Sequence, residues 1–100
     1  MKINMYTVLD HKSRGFSNPF YSLTDASAHR EFTDAVNDKN PRNQWNKHPA
    51  DFALYHVGMF DTATAEVIPQ QPIKMVVSAD SIMTDKQLEL ISNGKDQSEE

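Results

Sequence analysis

Apolar positions along this chain repeat with two different periods, and the places where the period changes mark out its elements. Residues 51–60, DFALYHVGMF, are apolar at nearly every position. On an extended chain Phe52, Leu54, His56, Gly58 and Phe60 share one face, while Ala53, Tyr55, Val57 and Met59 share the other. A run apolar on both faces, with aromatic and β-branched content, predicts a central strand covered on both sides. A buried helical turn is the alternative for so short a run. Gly58 and the turn-like Asp61 to Thr64 favour the strand.

Residues 1–9 alternate as a first strand, with Ile3, Met5, Thr7 and Leu9 on one face and Tyr6 and Val8 on the other. Residues 10–21 hold Gly15 and Asn18-Pro19 and no helical period, which predicts a loop. The period then becomes helical over residues 23–37. Thr24 is a suitable N-cap, Asp25 suits the positive end of the helix dipole, and Ala28, Phe32, Ala35 and Val36 form one apolar stripe. Pro41 forbids continuation. Residues 39–49, KNPRNQWNKHP, are too polar for core and too rich in Pro and Asn for a helix or strand. Residues 66–68 and 72–79 read as strand, and Pro69 and Pro72 between them place that strand at a sheet edge or split it at a bulge. Residues 80–91 predict a short helix capped by Thr84, with Leu88 and Ile91 as its stripe, and residues 92–100 a disordered acidic end.

The expected fold is α+β: a small antiparallel sheet of three to four strands with one helix across a face, in the order β-α-β-β. Residues 1–83 make a single domain, and residues 84–100 a short helix or flexible acidic C-terminal tail. Tyr6, Val8, Phe32, Val36, Phe52, Leu54, Val57, Phe60 and Val76 are the expected core. A domain of this size buries under ~70% of the surface its unfolded chain exposes, so a partner subunit would add stability. A homodimer through the edge strand at residues 73–78 is therefore expected.

Composition narrows the chemistry. The chain has no cysteine, hence no disulfide framework and no thiol nucleophile. No apolar run approaches ~18 residues and the N-terminus has no signal-like apolar segment, which predicts a soluble intracellular protein with no membrane contact. His11, His29, His48 and His56 match no short-range ligand spacing, and no nucleophile or phosphate-loop motif is present. The expectation is no catalytic residue, no metal and no cofactor: a binding protein, not an enzyme.

The net charge of −4 argues against a nucleic-acid partner, but the charge is uneven. Residues 1–50 carry seven Lys and Arg against five acids, whereas residues 84–100 carry two Lys against five. Two basic stretches also hold aromatic residues. The first has Lys12, Arg14, Phe16 and Tyr21; the second has Lys39, Arg42, Trp45 and Lys47 and no acid. Cations that follow phosphates beside rings that stack on unpaired bases are how proteins hold single strands. The competing reading makes Phe16 and Phe20 anchors of the loop, and Trp45 a lid folded back on the core.

The order of these features resembles a known family. An N-terminal MYTVLDHK is followed by Pro19-Phe20, and then by a helix with Ala28, Arg30, Phe32 and Ala35 to Asp38. Next comes His48 to Asp61 in the pattern H-P-x-D-[FY]-x-L-Y-x-[VI]-G-x-F-D. Over residues 4–79 this resembles the small non-structural protein of gokushovirus-type microviruses, single-stranded DNA bacteriophages. One departure is Thr64-Ala65, where the family usually has Thr-Gly; a turn that needs positive φ would strain an alanine. The resemblance implies a role in the cytoplasm of the infected bacterial host, outside the capsid, at the switch from double-stranded replication to single-strand synthesis and packaging. It supplies no catalytic residues.

Two functions follow. In one, the protein binds single-stranded DNA through Lys12, Arg14, Phe16, Tyr21, Lys39, Arg42, Trp45 and Lys47, with the acidic tail competing for the basic face. In the other, it is a non-catalytic adaptor that contacts the phage replication initiator or procapsid proteins. An exposed Trp45 favours the first, and a Trp45 buried against the core the second.

Overall fold

The two longest runs of alternating apolar residues pair with each other at the centre of the sheet. In the computed structural model, which describes residues 1–83, β1 (Lys2–Asp10) runs antiparallel to β4 (Phe52–Asp61). On the outer side of β4 lies β5 (Val67–Ser78). The outer side of β1 is shared by two short pieces, β2 (Gly15–Phe16) beside Leu9 and Asp10, and β3 (Phe20–Ser22) beside Asn4 to Tyr6. The whole is a five-stranded antiparallel sheet with β5 at one edge. It has the expected α+β character, but residues 10–21 are a broken edge strand and not simply a loop. Phe20 stacks on Tyr6 at 5.8 Å and pins that edge to the core.

Helix α1 (Asp25–Val36) begins at the expected cap. Thr24 Oγ1 accepts from Ser27 N at 3.0 Å, and Ser27 Oγ accepts from Thr24 N at 3.2 Å, a reciprocal capping box that satisfies two otherwise orphaned donors. Ala28, Phe32 and Val36, spaced four apart, are buried against Tyr6, Val8 and Leu54. Each large side chain buried there contributes roughly 1.5–3 kcal/mol. Phe52 and Val76 flank this cluster in part-buried positions.

The last turn of α1 is closed by side chains from the segment that follows. Asn43 Nδ2 donates to Ala35 O (2.8 Å), Asn46 Nδ2 to Val36 O (3.0 Å), and Asn37 Nδ2 to Thr33 O (2.9 Å). Thr33 O also accepts from Asn37 N (3.1 Å) and Ala35 O from Asp38 N (3.3 Å), so the side chains add to the backbone bonds that close this turn. Asn43 Oδ1 also caps a four-residue helix, α2 (Gln44–Lys47), by accepting from Trp45 N. The Asn-rich stretch expected to be irregular is therefore a capping device with a helical turn of its own.

The sheet departs from regular alternation at three register shifts, one of which sets Val77 beside Leu54 and Met75 beside Tyr55 on opposite faces. The first lies on β4. Met5 pairs with Gly58 but Tyr6 pairs with His56, so Val57 is an unmatched residue on β4. A one-residue slip moves every later side chain to the opposite face. Phe52, Leu54 and His56 stay on the helix side, whereas Phe60, expected beside them, pairs with Ile3 on the side without a helix. Phe60 and Val57 are half-buried and lie outside the central core cluster. The expectation that β4 is covered on both sides is not met among the described residues, where α1 covers one face only. Another slip, where Gly58 faces Pro69 and His56 faces Lys74, absorbs the Gln70–Ile73 excursion on β5, as its two prolines suggested.

Residues 79–82 form a single 3-10 turn (Ala79–Ile82), held to α1 by Asn37 Nδ2 on Ile82 O at 3.0 Å. From Thr84 onward the expected short helix and the acidic end lie outside the described residues.

Two glycine-related positions yield opposite expectations. A Cβ on Gly58 would stand 2.6 Å from Ile68 O and 3.3 Å from Pro69 Cα, both backbone atoms that cannot swing aside. Gly58→Ala is expected to lower the unfolding free energy by about 1–3 kcal/mol in urea titration. Ala65 holds the β4–β5 turn at φ 65°, the left-handed conformation that alanine adopts at a cost. Ala65→Gly is expected to raise stability, by roughly 0.5 kcal/mol once the added freedom of the unfolded chain is subtracted. An unchanged or lower urea midpoint would refute the strain at that turn.

Candidate functional site

The two basic stretches are some thirty residues apart in sequence and meet at one end of the sheet. The first is the tight turn between β1 and β2, in which Arg14 N donates to Asp10 O (2.7 Å) and Asp10 Oδ1 accepts from Lys12 N (2.9 Å). Asp10 is thus spent on the turn, and the side chains of Lys12 and Arg14 are exposed. The second stretch returns through α2 and a 3-10 turn, Pro49–Asp51, into β4. His11 N donates to Asp51 O at 2.8 Å and ties the two together.

Between them lies a cleft lined by Val8, Asp10, Ser13, Gly15, Phe16, Ser17, Trp45 and Phe52. It brings Phe16 and Trp45 onto a common surface, with Lys12 and Arg14 in the turn beside it and Lys47 at the end of α2. A second cleft, which Trp45 also lines, holds Asp38, Asn40, Arg42, Asn43 and Gln44. Arg42 lines that cleft, and both Arg42 and Lys39 are exposed. Tyr21 lies elsewhere, on β3, on the sheet face that carries no helix.

Trp45 takes the packed setting. Its ring lies 5.4 Å from Phe32 and 6.4 Å from Phe52 and joins the core cluster in a part-buried position. The asparagine caps on α1 fix it there. It is a lid on the core, and what remains of its surface forms a wall of both clefts. A freely presented stacking platform is not what the fold provides at this position.

One helix across a face was expected, but the apolar make-up of the face it leaves open was not. Residues paired across an antiparallel ladder share a face, so the face can be read from the register. Ile3, Met5, Thr7 and Leu9 of β1 lie beside Phe60, Gly58, Tyr55 and Ala53 of β4. Tyr21 and Phe16 flank them from β3 and β2, and Val67, Pro69, Met75 and Ser78 from β5. None of these side chains is charged. Phe16 meets Tyr55 edge-on at 6.4 Å, and Tyr21 meets Phe60 at 6.2 Å, so rings from the edge strands reach across β1 to rings of β4. Phe16, Val67 and Met75 are more than half exposed. Gly58 inside an apolar strand was the one sequence sign of the bulge that brings Phe60 to this face.

On the helix side a polar chain runs through the core. His56 Nε2 lies 3.1 Å from Asn4 Oδ1, and the His56 ring packs on Tyr6 at 5.2 Å. Tyr6 Oη donates to Asp25 Oδ1 (2.7 Å), whose other oxygen accepts from Lys74 Nζ (2.7 Å). The array joins β1, β4, β5 and the first turn of α1. Burial above all, then the hydrogen bond to Asp25, raises the Tyr6 phenol far above its ordinary value. The Lys74 hydrogen bond first, then that from Tyr6, lowers the Asp25 carboxyl.

These shifts fix the sign of two pH effects. Asp25, depressed when folded, stabilises the protein above the usual aspartate pKa near ~3.9, and loses that contribution as pH falls through its folded value. Tyr6, raised when folded, contributes below the usual tyrosine pKa near ~10 and loses that contribution as pH rises above it. Tyr6→Phe is expected to cost about 1 kcal/mol at neutral pH. It should also flatten the fall of the urea midpoint above pH ~10 and weaken the fall below pH ~4. An alkaline limb unchanged in the variant would remove Tyr6 from that transition.

Comparison with known proteins agrees with the picture of a phage protein. The family model for phage ORF5 protein matches residues 3–82, from the start of β1 to the 3-10 turn after β5. No curated protein and no solved structure matches the chain. The matched region takes in the whole sheet, both helices and the end cleft, and this chain belongs to the phage ORF5 protein family.

Proposed function

We propose that this phage protein binds single-stranded DNA at the end cleft, and through that binding assists the passage from genome replication to single-strand synthesis and packaging in the infected cell. The observation that carries the reading is the convergence, about an aromatic-lined cleft, of the β1–β2 turn that holds Lys12 and Arg14 with the α2 segment that holds Lys47. Lys12, Arg14 and Lys47 follow the phosphates, while the open part of Trp45 stacks on a base, with Phe16 at the rim of the cleft. Arg42 and Lys39 extend the track along the second cleft. Tyr21 lies too far round the sheet to join it. The stage in the infection cycle comes from the resemblance to the microvirus protein.

A second reading is supported by two observations: the packed setting of Trp45, and a broad uncharged sheet face suited to protein contact. In it the chain is an adaptor that touches no DNA and docks on a replication or procapsid protein.

Titration with an oligo-dT, followed by Trp45 fluorescence at low and moderate salt, separates the two. The DNA reading expects quenching that weakens as salt rises. In Lys12→Ala/Arg14→Ala, affinity should fall by roughly tenfold and the salt slope by about 1.4, near ~0.7 for each lost cation on a single strand. No spectral change and no shifted gel band at low salt would leave the adaptor.

A further inference from the structure

We infer that the helix-free face of the sheet is the contact between two copies of this chain, packed sheet on sheet into a sandwich. The inference is independent of DNA binding, because the end cleft and the face use different surfaces apart from the Phe16 ring at their border.

Three properties of the face lead to this occupant. The first is its extent. Four strand positions at ~4.8 Å and a nine-residue β1 at ~3.3 Å per residue span roughly 600 Å² as a flat footprint. That is of the order of the ~800 Å² per partner of a standard stable interface, its exposed part carried by Phe16, Tyr21, Val67 and Met75. The second is its composition. An uncharged surface of Met, Tyr, Phe and aliphatic side chains, with Thr7 and Ser78 as its hydroxyls, is what the buried centre of a permanent interface looks like. It offers phosphates nothing to bind, and it gives a charged partner nothing to pair with. The third is its shape. A twisted, uncharged sheet face fits best against another such face, at ~10 Å and nearly aligned, as in two-layer sandwiches. The surface of that kind established here is the chain's own, and a two-fold axis places it against itself with every contact made twice.

This differs from a dimer made by extending the sheet through β5. Edge pairing would leave Met75, Val67 and Tyr55 as open as they are in the single chain. Face packing covers them and leaves both end clefts on the outside of the pair.

Light scattering and sedimentation of the full chain at tens of micromolar test the proposal. The expected mass is two chains. Met75→Lys and Val67→Lys change side chains that are 54% and 57% exposed, so each variant retains the fold of the single chain. Each is expected to weaken association about 30-fold or more, giving a one-chain mass with unchanged far-ultraviolet ellipticity. Lys12→Ala/Arg14→Ala should keep the two-chain mass, so loss of DNA binding and loss of dimerisation are read separately. The proposal is overturned by a wild-type mass of one chain, by a mass above two chains, or by a two-chain mass that survives both lysine substitutions.

Discussion

Among the described residues one helix of twelve residues has to cover a sheet of five strands, and it covers one side of it. Most of what is distinctive about this protein follows from that shortage. On the covered side Phe32, Ala28 and Val36 close over Tyr6, Val8 and Leu54, and the Tyr6–Asp25–Lys74 chain fixes the start of the helix to β1 and β5. Among the described residues no second helix lies over the other side. An apolar strand face in that position is a cost in water unless another surface meets it.

The bulge at Val57 determines what that other side contains. With a regular β4, Phe60 would have followed Phe52, Leu54 and His56 onto the helix side. The extra residue turns it over, where it meets Tyr21 and completes a row of rings across the sheet. Alternation with period two could not reveal this, because a bulge adds one residue without changing the apolar character of the run. Gly58 marked the place, and its backbone neighbours at Ile68 and Pro69 explain why nothing larger stands there.

Local signals were legible wherever a single residue type had a single physical use. Thr24 had to cap a helix, the prolines at 69 and 72 had to mark an edge strand, and Ala65 stood where glycine would suit the positive φ that the turn adopts. The asparagines after α1 were harder to read, since Asn serves equally in a loop, a cap or a polar contact. Their acceptors, Ala35 O and Val36 O, become identifiable only once the chain has folded back on the helix end. That fold-back also sets Trp45 over Phe32, which made the lid reading of this residue the accurate one. For the candidate site, the residue types were legible but their grouping was not. Lys12, Arg14, Phe16 and Trp45 converge because β1 and β4 end together, whereas Tyr21 is carried off by β3 to the other surface. A long-range strand pairing determines that separation, and no local pattern encodes it.

The DNA site proposed at the end cleft and the dimer contact proposed on the sheet face occupy different surfaces. Hydroxyl-radical footprinting of the full chain, with and without an oligo-dT, tests both at once, with the exposed Met1 as an internal reference. Met75 and Tyr55 should react more slowly than their exposure in a single chain implies, with or without DNA, while Trp45 and Lys12 should become protected only when DNA is added. Met75 as reactive as Met1, or a Trp45 indifferent to DNA at low salt, would contradict the corresponding half of the account.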